Sequence, residues 1–261
     1  MAEAQLAGRC GLVVAVSGEE SIGFQCARRL RELGARVAIA HRPARSGAAP
    51  QMKEACGAEI ALPIDVRDDA SVDAAFAAIG AAWGKLDFLV HTVVHIPSKA
   101  LATPLLELQR GDFRDVLDDA TYSLIVLARR AVPFLTRSEA GRVVTLSSTC
   151  AERYTPSYHI AGIAKAALES CALYLAAELG PSGILCNVVR ASLLATDGAK
   201  RTVGAGAVAS TRAHLPKRAF TRRPVEHQDV ADLVAFLASP LCRSITAEIL
   251  TADGGYAKSY F

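Results

Sequence analysis

Residues 10–40, CGLVVAVSGEESIGFQCARRLRELGARVAIA, decide the fold. Positions 10–16 are almost all apolar and rich in β-branched side chains, which is typical of a strand buried on both faces of a parallel sheet. A polar turn over 17–23 carries two glycines, and the amphipathic pattern over 24–33 predicts a helix that ends at Gly34. A second apolar run over 36–40 predicts another strand, so this stretch is one strand–helix–strand unit.

The same alternation continues along the chain. Further strands are predicted over 59–64, 86–94, 142–147, 184–189 and 245–251. Helices are predicted over 71–83 with Ser71 as N-cap, over 105–135 with a break near Gly111, over 160–179 and over 225–238. The pattern predicts an α/β fold, with residues 1–261 forming a single doubly wound Rossmann-type domain: a seven-stranded parallel sheet with helices on both faces. Residues 195–220 are the least regular segment, and we expect either a substrate lid or a surface insertion there.

Composition limits the classes of function. Half of the 261 residues are apolar and the net charge is only +3. No basic block is present, so nucleic acid is not an expected partner. Seven cysteines without a CxxC pair favour reduced thiols and a cytoplasmic location. We expect neither a signal peptide nor a membrane span, because we find no apolar run near the roughly 18 residues that a span requires.

Polar side chains follow six of the predicted strands. In a doubly wound sheet ligands bind outside the carboxyl ends of the strands, so these residues predict a ligand site. They are residues 17–21, His41, Arg42, Asp65, His91, Thr92, Ser147, Ser148, Arg190 and Ser192. His91 and His95 lack a carboxylate or cysteine that would complete a ligand set, so no metal site is predicted, and His91 belongs either to this rim or to the core.

The charges at this rim bear on the cofactor and the substrate. The first turn has only Gly18 and Gly23, and its two glutamates make it a weak phosphate cradle. Arg42 follows the second strand, where an acid usually takes the ribose 2′-hydroxyl of NAD, so NADPH is predicted over NADH; the alternative is a solvent-exposed arginine. Arg190 is expected either to anchor an anionic substrate or to form an ion pair.

Tyr158 and Lys165 begin the longest predicted helix. Their spacing of seven residues places both on one helical face, roughly 10 Å apart along the axis. A phenol and an ammonium directed at one place form a candidate acid/base site. The alternative is that both merely cap and solvate the start of a core helix.

Together these residues resemble a known family. The order of first-turn glycines, Asp65-Val66, Ser147-Ser148, Tyr158…Lys165 and 253–255 (DGG) resembles the short-chain dehydrogenases/reductases over essentially the whole chain. The Tyr-x6-Lys spacing resembles the divergent branch that contains the enoyl-acyl-carrier-protein reductases. Further matches to that branch are Leu86-Asp87, Val90-His91, Tyr122-Ser123, 151–153 (AER), 179–181 (LGP) and Asn187.

The resemblance implies a chemistry and a set of site residues. A nicotinamide would deliver hydride to the β-carbon of an α,β-unsaturated thioester, Tyr158 would stabilise the enolate, and Lys165 would hold the nicotinamide ribose. His95, Arg190 and Tyr158 are the predicted substrate contacts, and a homotetramer is the expected assembly. The predicted cofactor contacts are Gly18, Ser21, Ile22, Arg42, Asp65, Val66, His91, Thr92, Val93, Lys165, Leu194 and Thr196.

The chain also departs from the branch. The phosphate turn is short of glycines, positions 191–196 differ from the usual turn after the sixth strand, and Ser148 replaces an aromatic residue. Ser148 matches the catalytic serine of the ordinary branch. Carbonyl reduction by Ser148 and Tyr158 is therefore one alternative. A cofactor-free lyase, cyclase or binding protein is another. The leading hypothesis is a reductase in fatty-acid or polyketide metabolism that uses a nicotinamide cofactor to reduce the C=C bond of an enoyl thioester or a related enone.

Overall fold

A computed structural model describes residues 5–259 of the chain. Its strands form one parallel sheet in the order β3-β2-β1-β4-β5-β6-β7, which confirms the predicted doubly wound sheet. The strands are β1 (Cys10–Val14), β2 (Arg36–His41), β3 (Ile60–Pro63), β4 (Phe88–His91), β5 (Arg142–Ser148), β6 (Leu185–Ala191) and β7 (Ile249–Ala252). The strand order reverses between β1 and β4, and such a switch point opens a crevice at the carboxyl ends.

Helices cover both faces of this sheet. They are α1 (Ile22–Glu32), α2 (Ala49–Cys56), α3 (Asp69–Trp83), α4 (Ser98–Ala102), α5 (Arg110–Leu117), α6 (Ser123–Leu135), α7 (His159–Leu179), α8 (Asp197–Val203), α9 (Ala205–Arg218) and α10 (His227–Ala238). Because side chains alternate along a strand, Val13 packs with α1, α2 and α10, while Leu12 and Val14 pack with α3, α6 and α7. A third cluster joins α4 and α5 to the start of α7.

Two predicted helix boundaries are wrong, one because of the N-cap and the other because of a wide turn. Helix α3 begins earlier than predicted because Asp68 is its N-cap and accepts from the backbone N–H of Ala70. The hydroxyl of Ser71 instead accepts from the backbone N–H of Asp65 at 3.0 Å. The helix break predicted at Gly111 lies at 118–122, in a wide turn with π-helical hydrogen bonding between α5 and α6. Gly111 itself lies in the first turn of α5.

Helix α7 is more apolar than expected. The segment His159–Ser182 has a window of mean hydropathy 1.4 and is long and apolar enough to cross a membrane, so the expectation of no such stretch is wrong. Half of that window is buried inside the protein, where α7 packs on β5 and β6. A helix that is apolar on most sides is either a core helix or a membrane span, and the packing of α7 accounts for the buried half of this window.

Candidate active site

Two cavities open at the carboxyl edge of the sheet and meet at Tyr158. We call the first, of about 410 Å³, the inner cleft; it runs from Ile22 at the start of α1 to Lys165 on α7. The second, of about 640 Å³, is the outer cavity, which lies under α8 and α9. The residues that line both are Ser98, Ser148, Cys150, Tyr158 and Leu193. A molecule in either cavity is therefore within reach of the same phenol.

Tyr158 is the N-cap residue of α7 and has a non-helical backbone conformation. Its phenol pKa is raised by burial and by the neighbouring Cys150, so the side chain is a neutral hydrogen-bond donor at physiological pH. Within residues 5–259 its hydroxyl has no hydrogen-bond partner. The approach of α7 to the turn over 149–151 depends on Gly162, where a Cβ would lie 2.6 Å from the carbonyl oxygen of Cys150.

Lys165 lines the inner cleft, two turns further along α7. Its side chain is buried, and its ammonium donates to the carbonyl of Leu146 at 2.8 Å. Burial lowers the pKa of Lys165 to about 8, although the nearby Cys150 and Glu169 act in the opposite direction. An ammonium has three N–H donors, so two remain for a ligand in the cleft.

Ser148 ends β5 and faces both cavities with Cys150. The Ser148 hydroxyl accepts a long hydrogen bond, 3.5 Å, from the backbone N–H of Cys150. Burial raises the pKa of the Cys150 thiol, so the thiol stays protonated and is a poor nucleophile. Ser148, the predicted catalytic serine of the carbonyl-reductase alternative, lines the same two cavities as Tyr158.

The first turn is closed by Ser21. Its hydroxyl donates to the carbonyl of Gly18 at 2.7 Å and accepts from the backbone N–H of Phe24, which makes it the N-cap of α1. Gly18 has a φ of +150°, a conformation that L side chains rarely adopt. Glu20 is held by Lys200 of α8 at 3.0 Å. This contact turns one of the two unfavourable carboxylates toward α8.

Further predicted cofactor contacts come together in two places. Ile22, Thr92, Leu194 and Thr196 line the inner cleft, as does His95, a predicted substrate contact. Arg42, Asp65, Val66 and Val93 line a small hollow between the ends of β1, β2, β3 and β4, which we call the rim pocket. The pKa of His95 is lowered by burial and by nearby arginines, Arg42 first among them.

His91 lies in the core instead of at the rim. Its ring nitrogens are 2.8 Å from the Thr145 hydroxyl and 2.9 Å from the Ser123 hydroxyl, and the side chain is fully buried. Burial, and then the charge of Lys165, lowers its pKa to about 3. A neutral histidine with both nitrogens satisfied holds β4, β5 and α6 together. It is not among the residues that line the inner cleft, the outer cavity or the rim pocket.

Arg190 forms the ion pair that was the alternative to a substrate anchor. Its Nε and Nη2 donate to the two carboxylate oxygens of Glu169 at 2.8 and 2.6 Å, and Nη1 contacts Glu152. Ser147 donates to the same Glu169 carboxylate at 2.6 Å. Both charges are thus used inside the protein, and Arg190 does not line the three cavities named above.

The region 195–220 is helical, whereas the sequence predicted an irregular segment. Helix α8 lines the outer cavity with Val203, its last residue. Helix α9 lines it with Ala207, Thr211 and Leu215, which are spaced four residues apart on one helical face. That spacing could have predicted α9 from the sequence, but Gly204, just before the helix, obscured it. Tyr154 and Tyr256 also line the cavity, and no sequence pattern identified them.

Comparison with known proteins identifies the family. A family model described as enoyl-(acyl carrier protein) reductase matches residues 16–257. The enoyl-[acyl-carrier-protein] reductase [NADH] FabI of Synechocystis is 32% identical over 255 residues, covering 96% of this chain and 97% of the relative. The Escherichia coli enzyme of the same name is 32% identical, covering 97% and 95%.

Solved structures agree. An enoyl-(acyl-carrier-protein) reductase from Anaplasma phagocytophilum in complex with NAD has a TM-score of 0.91 and 27% identity, and covers 99% of this chain and 95% of that one. The Bacillus cereus enoyl-acyl carrier protein reductase with NADP+ and indole naphthyridinone has a TM-score of 0.91 and 27% identity, with 99% and 100% covered.

These findings decide most of the sequence-based hypotheses. Double-bond reduction is supported over carbonyl reduction and over a non-redox protein. The predicted preference for NADPH is wrong, since the curated relatives are named as NADH enzymes. Arg42, on which that prediction rested, already contacts the buried Asp119 at 3.4 Å. The chain therefore belongs to the enoyl-(acyl-carrier-protein) reductase family of the short-chain dehydrogenases/reductases and is an oxidoreductase of carbon–carbon double bonds.

Proposed function

We propose that this protein is a cytoplasmic enzyme that uses NADH to reduce the double bond of an enoyl thioester carried on acyl-carrier protein. One observation carries the proposal: Tyr158 lies where two cavities meet, while Lys165 lines only the inner one. This arrangement fits a cofactor in the inner cleft and an acyl group in the outer cavity. The names of the curated relatives support the choice of NADH and of the carrier protein.

The residues of the inner cleft fit a nicotinamide ribose. Lys165 is buried and uses one of its three donors on Leu146, so the two others can take the ribose hydroxyls. When bound, the dinucleotide supplies the hydride that adds to the β-carbon of the substrate. Ser21 and Gly18 shape the turn at the start of α1, whose backbone N–H groups and positive helix end favour the pyrophosphate. Asp65 and Val66 of the rim pocket would meet the adenine.

Tyr158 performs the electrostatic part of the reaction. Its raised pKa keeps the phenol protonated, so it donates a hydrogen bond to the thioester carbonyl. As hydride adds to the β-carbon, negative charge moves onto that oxygen, and the bond to Tyr158 strengthens. Tyr158 is half-buried, and its partial shielding from water strengthens the interaction. A proton from solvent then adds to the α-carbon of the enolate, which completes the reduction.

We further propose that the whole chain acts as one domain, with residues 195–220 as a lid over the substrate. The face of α8 and α9 formed by Val203, Ala207 and Leu215 is mostly apolar and suits an acyl chain. Lys200 ties α8 to Glu20 in the first turn. The lid is thereby linked to the turn that would hold the pyrophosphate, and His95 is the proposed substrate contact across the cleft from Leu194.

A homotetramer is proposed for the assembly. Leu173 and Tyr174 on α7 are 52% and 69% exposed, and Ile249 on the edge strand β7 is 37% exposed. Small residues beside them, Ala166 and Ser170, permit close approach of a second helix. Analytical ultracentrifugation tests this, and a monomer at enzyme-assay concentration would contradict it.

Tyr158→Phe tests the proposed reaction. The variant should lower kcat/KM for crotonyl thioester by about 10²- to 10³-fold, since one donor to the oxyanion is removed. NADH affinity, measured by fluorescence titration, should stay within about twofold because Lys165 holds the ribose. Tyr122→Phe, at a tyrosine that is 46% exposed and lines neither cavity, is the matched control. An unaltered rate in Tyr158→Phe would refute the role of the phenol.

Ser148→Ala separates the proposed reaction from carbonyl reduction. For double-bond reduction the loss in kcat/KM should be much smaller than in Tyr158→Phe, because Ser148 is not required as a proton donor. A loss as large as that of Tyr158→Phe, together with faster reduction of acetoacetyl than of crotonyl thioester, would favour a carbonyl reductase.

A further inference from the structure

Asp119 is a buried carboxylate that the proposed reaction does not use. It lies in the wide turn between α5 and α6, and its side chain is 1% exposed. Turns with this hydrogen bonding are frequently found at functional sites. Its Oδ1 accepts from Nε of Arg67 at 2.9 Å, and its Oδ2 accepts from Nη2 of Arg67 at 2.9 Å. The same Oδ2 accepts from Nη2 of Arg42 at 3.4 Å.

Arg67 holds this carboxylate in place. It follows Asp65 and Val66 of the rim pocket directly in sequence, and its backbone N–H donates to Asp65 at 3.0 Å. Its guanidinium also donates to the backbone carbonyl of Asp115 at 2.9 Å. The carboxylates of Asp115 and Asp118 lie 3.9 Å from Arg67. Asp115 is also paired with Arg114 at 3.0 Å, so three carboxylates meet three guanidiniums and the cluster is close to neutral.

The cluster borders the rim pocket, where the adenosine end of a dinucleotide would bind. Arg42 follows β2 and lines the rim pocket, and in this fold the residue after the second strand recognises the ribose 2′ position. A 2′-phosphate at this position would compete with Asp119 for the Arg42 guanidinium, and if Arg42 turned toward the phosphate the buried carboxylate would keep only Arg67. A free 2′-hydroxyl does not require this change.

We propose that Asp119 is a specificity-determining residue that selects NADH over NADPH by holding Arg42 away from the ribose 2′ position. This inference rests on the proposed use of a nicotinamide dinucleotide. It explains how a chain with an arginine after β2 can belong among NADH-named relatives. Arg67 acts through Asp119 and is a positioning residue.

Asp119→Asn is the first test. The isosteric amide removes the charge, frees Arg42, and should raise the affinity for NADPH relative to NADH by about tenfold, the gain expected from one charge-assisted hydrogen bond to phosphate. The dissociation constants of both nucleotides are measured by fluorescence titration of the same preparation, and kcat/KM with each nucleotide is a second readout. Asp118→Asn, one residue away with the same loss of charge, should leave the ratio within about twofold.

Two further variants show whether Asp119 acts through Arg42. In Asp119→Asn/Arg42→Gln the gain for NADPH should disappear. Arg42→Gln alone replaces a half-exposed side chain, so it should fold, and it tests the role of Asp119 even if Asp119→Asn folds poorly. It should alter the affinity for NADH and for NADPH by less than about twofold, because Arg42 is already engaged by Asp119.

The outcomes separate this inference from the proposed function. An unchanged nucleotide ratio in Asp119→Asn, a shift that survives in the double variant, or a large loss of NADPH affinity in Arg42→Gln alone would each overturn the role of Asp119. In those cases the reductase itself stands if NADH still reduces crotonyl thioester. Failure of both nucleotides to bind the unmodified protein would overturn the proposed function and this inference together.

Discussion

Arg190→Met is expected to destabilise the protein strongly while leaving substrate recognition intact. The guanidinium is 12% exposed and makes a two-pronged pair with Glu169, whose side chain is 9% exposed. Its removal leaves a buried carboxylate with the Ser147 hydroxyl as its remaining close partner. Breaking a buried pair in this way costs about 3–5 kcal/mol of unfolding free energy. Since each kcal/mol shifts Tm by about 2–4 °C in a chain of this size, we expect a fall of about 6–20 °C.

The assay compares Tm by circular dichroism across a small set of variants. Glu169→Gln/Arg190→Met should recover most of the loss, because the uncompensated charge is then absent. Arg223→Met is the matched control, since Arg223 also makes a two-pronged pair, with Asp229 at 2.6 and 2.8 Å, but its side chain is 57% exposed. Solvent weakens such a pair, so its Tm should remain within about 2 °C of the unmodified protein.

Two results would refute this reasoning. A Tm for Arg190→Met no lower than that of Arg223→Met would mean that the pair with Glu169 contributes little. A KM for crotonyl thioester raised about tenfold or more, in a variant that remains folded at the assay temperature, would show that Arg190 meets the substrate as an anchor. The structure favours an unchanged KM, because Arg190 faces Glu169 and Glu152.

Three other perturbations test the site. The pKa of Lys165 is about 8, so the ammonium loses its charge as the pH rises through about 8, and NADH affinity should fall with it. The NADH affinity of Lys165→Arg, measured over the same pH range, should show no such fall, because arginine stays charged. The pKa of His91 is lowered from 6.5 to about 3; the unfolded chain then binds the extra proton, so Tm should drop as the pH falls below about 6.5, and less steeply in His91→Gln. Gly162→Ala should lower both Tm and kcat, because its Cβ would lie 2.6 Å from the Cys150 carbonyl, whereas Gly111→Ala, with open space around it, should lower neither.

The sheet could be predicted because its signal is local. A strand buried on both faces must be a short apolar run, and each of the seven strands overlaps such a run. The turn chemistry between the runs was less informative. Asp68 and Ser71 are both good N-cap residues. Asp68 caps α3 because the Ser71 hydroxyl is already engaged as the acceptor for the backbone N–H of Asp65. Helix α2 was missed because its eight residues carry little apolar pattern and follow Pro43 and Gly47.

The position of Tyr158 relative to Lys165 could also be predicted from sequence, since both residues lie at the start of one helix. The wall of the outer cavity could not. Tyr154 and Tyr256 are more than 100 residues apart in sequence, and they share the cavity because Arg153 donates to the backbone carbonyls of Tyr256 and Ala257 at 3.1 and 3.0 Å. Such a contact depends on the finished fold, and no periodicity in either segment encodes it.

Arg42 and Arg190 show what the charge pattern alone leaves open. Arg42 follows β2 and Arg190 lies near the end of β6, both at the ligand-binding edge. The sequence left two alternatives open for each: a nucleotide phosphate or solvent for Arg42, and an anionic substrate or an ion pair for Arg190. Arg42 instead contacts Asp119, whose side chain is 1% exposed. Arg190 contacts Glu169, whose side chain is 9% exposed. A buried carboxylate requires a cation, because its desolvation would otherwise be too costly. Asp119 is 77 residues from Arg42 in sequence. The partner of Arg42 therefore depends on where the turn between α5 and α6 places the Asp119 carboxylate. The ratio of NADPH to NADH affinity in Asp119→Asn measures that dependence directly.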